Sequence, residues 1–170
     1  MKWIVKMMLV LLMCLPVQSW AFPNEPNGFR DLYWGESLEE VQQTRHLSFL
    51  ENTHSIAKAE VYVAFLREDE EKVVSGIPIA GEMLVLGFKE NKLIAIVAAF
   101  QDIDNCWEYL KGAMERLYGK AEFINGDYMW TGTKTMMLLE RNFLSGQIRL
   151  CMVDLQKIKN IDQEMYKSGW

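Results

Sequence analysis

The side chains able to do chemistry in this chain are few, and their spacing suits little of it. Two histidines, His46 and His54, stand eight residues apart with Glu51 between them. No H-E-x-x-H or C-x-x-C spacing accompanies them, so a zinc site has little to build on. A nucleophile elbow would need G-x-S-x-G, which is absent, and "GIPIAG" at residues 76–81 lacks the lysine of a phosphate-binding loop. Acids cluster at Glu39 and Glu40 and in "REDEEK", residues 67–72. Catalytic carboxylates are held apart and tuned by burial, whereas adjacent charges read as a solvated loop. A calcium loop would need an alternation of acids and a glycine that this run does not have. The residue types thus point to no cofactor, no metal set and no catalytic set.

Cys106 is the candidate nucleophile with a physical argument behind it. It falls in the first turn of an expected helix, where the dipole lowers a thiol pKa. No histidine lies near it in sequence, and the alternatives are a half-buried small residue or one end of a disulfide to Cys151. In "QIRLCMV", Ile148, Leu150 and Met152 share one strand face and Cys151 takes the other. That parity sets Cys151 away from Cys106 if the apolar set faces the helices. Trp107, Tyr109 and Tyr118 could form an aromatic ligand box, but Trp107 and Tyr118 at helical spacing read as core.

These groups must be positioned by a domain that begins after an export leader. Lys2 and Lys6 precede an apolar run at residues 7–15, too short to span a bilayer, and Ser19 and Ala21 offer small residues for cleavage. Cleavage after Ala21 is expected, so residues 1–21 are a signal peptide and the mature chain is periplasmic or secreted. A lipid anchor at Cys14 is disfavoured because Met13 is not small. About 150 residues remain, enough for one domain with its own core. The net charge of -5 becomes more negative when Lys2 and Lys6 leave, and an acidic surface makes nucleic acid and anionic membrane poor partners. No second long apolar run predicts a membrane span in the mature chain.

The hydrophobic pattern divides residues 22–154 into helices and strands. "FPNEPNGFR" reads as an extended, poorly ordered leader. In "DLYWGESLEEVQ", residues 31–42, Ser37 and Glu40 form a capping box that starts a helix. Trp34 and Gly35 read as the device that sets how the chain approaches it, with Gly35 at positive φ and Trp34 anchored on the sheet. Strands are predicted at residues 59–66, 82–88 and 93–100, the last two joined by a "KENK" hairpin. Residues 67–81 read as a charged connection. Asn105 and Glu108 make a second capping-box pattern before a helix carrying Trp107, Leu110, Met114, Leu117 and Tyr118 on one stripe, ended by Gly119. Three strands follow, around residues 128–130, 135–140 and 147–153. Residues 155–170 form a tail, with Leu155, Ile158, Ile161 and Met165 on one side of a short helix. The expected fold class is α+β: two layers, built from tandem helix–three-strand units that form an antiparallel sheet with helices on one face.

"GFRDLYWGESLEEV", "GFKENKLIAIVAAF", "LYGKA" and "YMWTG" together resemble an uncharacterised family of small exported bacterial proteins that open on F-R-x-x-x-W-G. The resemblance runs from Phe29 to Gly132 and implies a fold and a compartment. The helix-then-strands order is also similar to the β-lactamase inhibitor protein fold and to the small lipoprotein of outer-membrane assembly, whose sheets and loops bind other proteins. Function is then expected to be non-enzymatic: a protein–protein interaction domain whose partner is an unidentified envelope or secreted protein. "LIAIVAAF" and "TMMLLE" carry apolar side chains on both strand faces, so a sheet covered by helices on one side would expose apolar surface on the other. The alternatives are a carrier of a small apolar ligand, lined by Met83, Met114, Met136, Met137 and Met152, and then an enzyme of unrecognised type.

Overall fold

The computed structural model describes residues 21–50, 59–103, 105–142 and 146–157. The expected signal peptide (but for Ala21), His54 and the tail from residue 158 lie outside the described residues. The chain forms a small hairpin, β1 (Gly28–Phe29) and β2 (Leu32–Tyr33), then α1 (Leu38–Thr44), β3 (Leu47–Phe49) and β4 (Glu60–Phe65). Next come β5 (Val73–Val74), β6 (Ile77–Lys89), β7 (Lys92–Gln101) and α2 (Cys106–Tyr118). β8 (Glu122–Ile124), β9 (Asp127–Thr131), β10 (Thr135–Asn142) and β11 (Gln147–Asp154) complete the fold. Among the described residues every strand pair is antiparallel, and the main sheet runs β3-β4-β6-β7-β11-β10-β9-β8, with β5 on β6. The protein is a sheet-dominated α+β fold. Its strand order is mirrored: the last strand of each half, β7 and β11, meet at the centre.

Local chemistry accounts for the starts of the helices unequally. At α1 the capping box is complete. Ser37 Oγ accepts from the Glu40 N–H at 3.2 Å, and a Glu40 carboxylate oxygen accepts from the Ser37 N–H at 2.6 Å. At α2 the expected box is absent. Asn105 sits at φ +62 and makes no side-chain cap, and the Cys106 N–H is instead taken by the Ile103 carbonyl at 2.8 Å. A left-handed residue swings its side chain away from the helix N–H groups, and asparagine tolerates that conformation. Gly119 ends the helix at φ +79, donating to the Glu115 carbonyl. Trp107, Leu110 and Met114 are buried as the stripe requires, but Leu117 is 50% exposed. The core ends one turn earlier, and Tyr118 closes it edge-on against Phe22.

Three readings of irregular chain need correction. Residues 77–81 are not connection but the first part of β6. Pro78 sits opposite Val73 of the short β5, and the register shifts between Ile79 and Leu84, where the four residues 80–83 stand against Ala99 alone. The strand count rises from three to four in the second half and to five in the first, because β3 and β8 add short edges and β5 pairs with β6. The leader is tied down: the Glu25 carboxylate accepts from the Lys134 and Thr135 N–H groups at 2.6 and 2.7 Å and from the Thr133 hydroxyl at 2.8 Å. Burial works against that charge, and the two backbone donors outweigh it, holding Glu25 below its usual pKa.

A core of buried side chains gathers on one side of the sheet. It joins Leu84, Leu86 and Phe88 of β6, Ile96, Ala98 and Phe100 of β7, Ile148, Leu150 and Met152 of β11, and Met137 and Leu139 of β10. Val41 of α1 and Cys106, Trp107, Leu110 and Met114 of α2 belong to the same cluster. Met114, Met137 and Met152, expected around a ligand, are thus constituents of this packed core, each at 3% exposure or less.

Candidate functional site

Strand alternation sends the other half of the side chains to the opposite face, and the register lines them up. Val63 of β4 pairs with Val85 of β6, Val85 with Val97 of β7, and Val97 with Cys151 of β11. Cys151 pairs with Leu138 of β10, and Leu138 with Met129 of β9. The result is one apolar row across six adjacent strands. It stops at polar residues on both edge strands, Ser48 opposite Val63 and Glu122 opposite Met129. All six row residues are half-buried. No residue of α1 or α2 joins the small buried cluster of this back face, Ile94, Ala95 and Val153 with Ala59 and Met136 against it. Alongside the row, Arg149 and Glu140 form an ion pair across β11 and β10.

Cys151 stands in the middle of this row. Burial, then the neighbouring Glu140 carboxylate, push its thiol up to about 12, so it is protonated at neutral pH. Cys106 lies in the core on the other side, 5% exposed. Its thiol is also raised, by burial and by Asp102, so burial overrides the lowering expected from the helix terminus. Both thiols are free. That agrees with the parity argument against a bridge: Cys106 belongs to the core cluster, whereas Cys151 stands in the row on the other face of the sheet.

The opening stretch is anchored at both ends. Trp34 is half-buried against the core, and its indole N–H donates to Thr135 Oγ1 at 2.7 Å. Thr135 is fully buried and its hydroxyl donates on to the Pro26 carbonyl at 2.6 Å. Gly35 lies at φ +85, a region that favours glycine, and its N–H donates to the Leu93 carbonyl at 3.0 Å. The Leu93 N–H returns to the Glu36 carbonyl at 2.8 Å. Trp34 and Gly35 therefore dock the chain onto the start of β7 just before Ser37 begins α1. They stand among core-side contacts, away from the apolar row.

The acidic run holds a residue that sequence reasoning missed. Glu70 is 6% exposed and accepts from both terminal nitrogens of Arg45, at 2.6 and 3.0 Å, and from Arg30 at 2.9 Å. Arg45 is itself enclosed, at 0% side-chain exposure, and also pairs with Asp31, which Arg67 holds from outside at 2.7 Å. Burial opposes the Glu70 charge, but the Arg45 and Arg30 guanidiniums outweigh it and keep the carboxyl below its usual range. Arginines at positions 30, 45 and 67 were the available signal, and only the fold shows that they converge. The cluster pins the 67–74 loop to the first hairpin and to the end of α1, a structural task. His46 is exposed, with its ring 5.9 Å from that of Phe65. Among the described residues no three His, Cys, Asp or Glu side chains are grouped to hold a metal ion.

A cleft of about 590 Å³ runs between the β5–β6 turn and α2, lined by Ile77, Pro78, Ile103, Cys106, Tyr109 and Arg116. Ile103 and Tyr109 stand 64% and 54% exposed at its mouth. Trp107 and Tyr118 take the core positions read from their spacing rather than an aromatic box: Trp107 is in the core, Tyr118 packs on Phe22 and Tyr109 faces solvent. No helix among the described residues is long and apolar enough to cross a membrane. No family model, curated protein or solved structure matches the chain.

Proposed function

We propose that this chain is a non-enzymatic, exported protein–protein interaction domain, periplasmic or secreted, that binds its partner on the back face of the sheet. The single observation that carries the reading is the six-residue apolar row from Val63 to Met129, bounded by polar residues at both edges. The fold is read as two layers, with α1 and α2 on the core side only, which leaves this face for another chain. That arrangement, two helix-led units meeting at β7 and β11, is the one implied by the resemblance to the β-lactamase inhibitor protein type of fold. The export assignment rests on the leader sequence.

The partner is a basic amphipathic segment of an envelope or secreted protein. Valine, leucine and methionine side chains in the row match an apolar stripe. The acids at the β8–β9 end of the row, Glu122 and Asp127, and the net charge of -5 favour basic flanks on the incoming chain. Photocrosslinking in the cell envelope tests this. A benzophenone amino acid at position 85 is expected to give one discrete protein adduct, and the same group at position 108 on exposed α2 none. Val97→Asp should reduce the adduct at least tenfold while the protein still melts cooperatively. No adduct from position 85, or an adduct indifferent to Val97→Asp, overturns the binding face.

A further inference from the structure

The cleft beside α2 has walls set by the fold itself. On one side Ser75 and Gly76, at φ +50 and +84, form the two-residue turn that joins β5 to β6, and Val74 pairs with Ile77 across it. On the other, Tyr109, Gly112 and Arg116 recur at spacings of three and four and so share one face of α2. From Ile103 to Tyr109 the lining is apolar, with the buried Cys106 as its floor. Its volume of about 590 Å³ falls within the roughly 300–1,000 Å³ of small-molecule sites.

Two residues of the helical wall have no task in the packing. Gly112 sits inside α2, where glycine is a poor helix former, yet a Cβ there would meet only Arg116, at 3.7 Å. Packing does not demand that glycine, and its missing side chain keeps the cleft open along the helix. Arg116 is exposed and has no ion-pair partner among the described residues. Its Nη1 is the atom that a Gly112 Cβ would meet, so the guanidinium reaches back one turn along the cleft wall. An unpaired, forked cation at one end of an apolar groove matches a carboxylate. Glu108, two turns and about 12 Å back along the helix, opposes a second anion at the other end.

We propose that this cleft binds an amphipathic monocarboxylic acid, its carboxylate on Arg116 and its apolar body laid past Gly112 onto Tyr109 and Ile103. The site is separate from the apolar row on the other face of the sheet and stands or falls apart from it. Decanoate, held below the concentration at which it forms micelles, is the probe, titrated into the full chain by calorimetry. Saturable one-to-one binding is expected, weakened about tenfold by Arg116→Gln. Lys92→Gln removes the same charge from an exposed position at the start of β7 and should leave the affinity unchanged. Gly112→Leu fills the cleft with a better helix former and should abolish binding without lowering the melting temperature. Arg116→Gln, at an exposed side chain, decides alone if Gly112→Leu does not fold. No saturable binding, equal affinity in wild type and Arg116→Gln, or binding retained in a folded Gly112→Leu overturns the site. Decyltrimethylammonium binding as tightly as decanoate overturns the choice of a carboxylate. A protein adduct from position 108 in the envelope experiment would make the occupant a chain terminus and overturn the free acid.

Discussion

Replacing Glu70 by alanine should cost far more than its place in a charged loop suggests. The carboxylate is 6% exposed and meets Arg45 through two hydrogen bonds, with a third to Arg30. Without it, Arg45 keeps its charge at 0% side-chain exposure with only Asp31, itself 40% exposed, in compensation. Breaking a buried pair from one side typically costs about 3–5 kcal/mol, a large part of the 5–15 kcal/mol that holds an ordinary domain. Glu71→Ala, one residue on and exposed, should stay within about 0.5 kcal/mol of wild type. Urea unfolding at pH 7 gives both values. The pH dependence supplies a second reading. The folded Glu70 carboxyl titrates below its unfolded value near 4.5, so the charged form stabilises the fold. That contribution is complete above about pH 4.5 and is lost as pH falls through the folded value. The gap between wild type and Glu70→Ala should therefore narrow in acid. A cost under about 1 kcal/mol at pH 7, as for an exposed pair, or a gap constant from pH 7 to pH 2, refutes the reasoning.

Trp34→Ala should lose about 2–4 kcal/mol, from half-buried packing and from the hydrogen bond to Thr135, and melting like wild type would refute the anchoring role. Thr135→Val should cost about 1–3 kcal/mol, since it leaves both the Trp34 N–H and the Pro26 carbonyl without that hydroxyl; an unchanged melting temperature would show that water replaces it. Cys151 has a raised folded pKa, so the neutral thiol favours the fold below pH 9 and that contribution disappears as pH rises through about 12. Cys151→Ala should flatten the alkaline fall in stability between pH 9 and 12, and an identical alkaline limb in both proteins argues against a desolvated thiol.

Local patterns were legible and long-range ones were not. Ser37 and Glu40 are three residues apart, and the box they form needs nothing from the rest of the chain. The alternation in "LIAIVAAF" and "QIRLCMV" assigns faces before any partner strand is known, and it separated Cys106 from Cys151. The order of residues 22–30 could not be read, because Glu25 and Pro26 find their partners at Lys134 and Thr135, more than a hundred positions away. Pro78 and Gly81 looked like loop because a bulge and a two-residue partner strand accommodate them. Asn105 carries the composition of a cap, yet a positive φ removes its side chain from the task. The apolar surplus on the back face was visible, whereas the continuous row is a property of register, which no single strand encodes.

Both margins of the sheet end in strands of three residues, β3 and β8. A chain that approached either margin to extend the sheet would find room for only two or three main-chain hydrogen bonds, a poor template for β-augmentation and for runaway self-association. A partner on the proposed binding face would be met broadside, by side chains against side chains, and selectivity would then depend on shape and polarity more than on main-chain pairing. An apolar row can thus be kept on one face of the sheet with little invitation to polymerise through its margins.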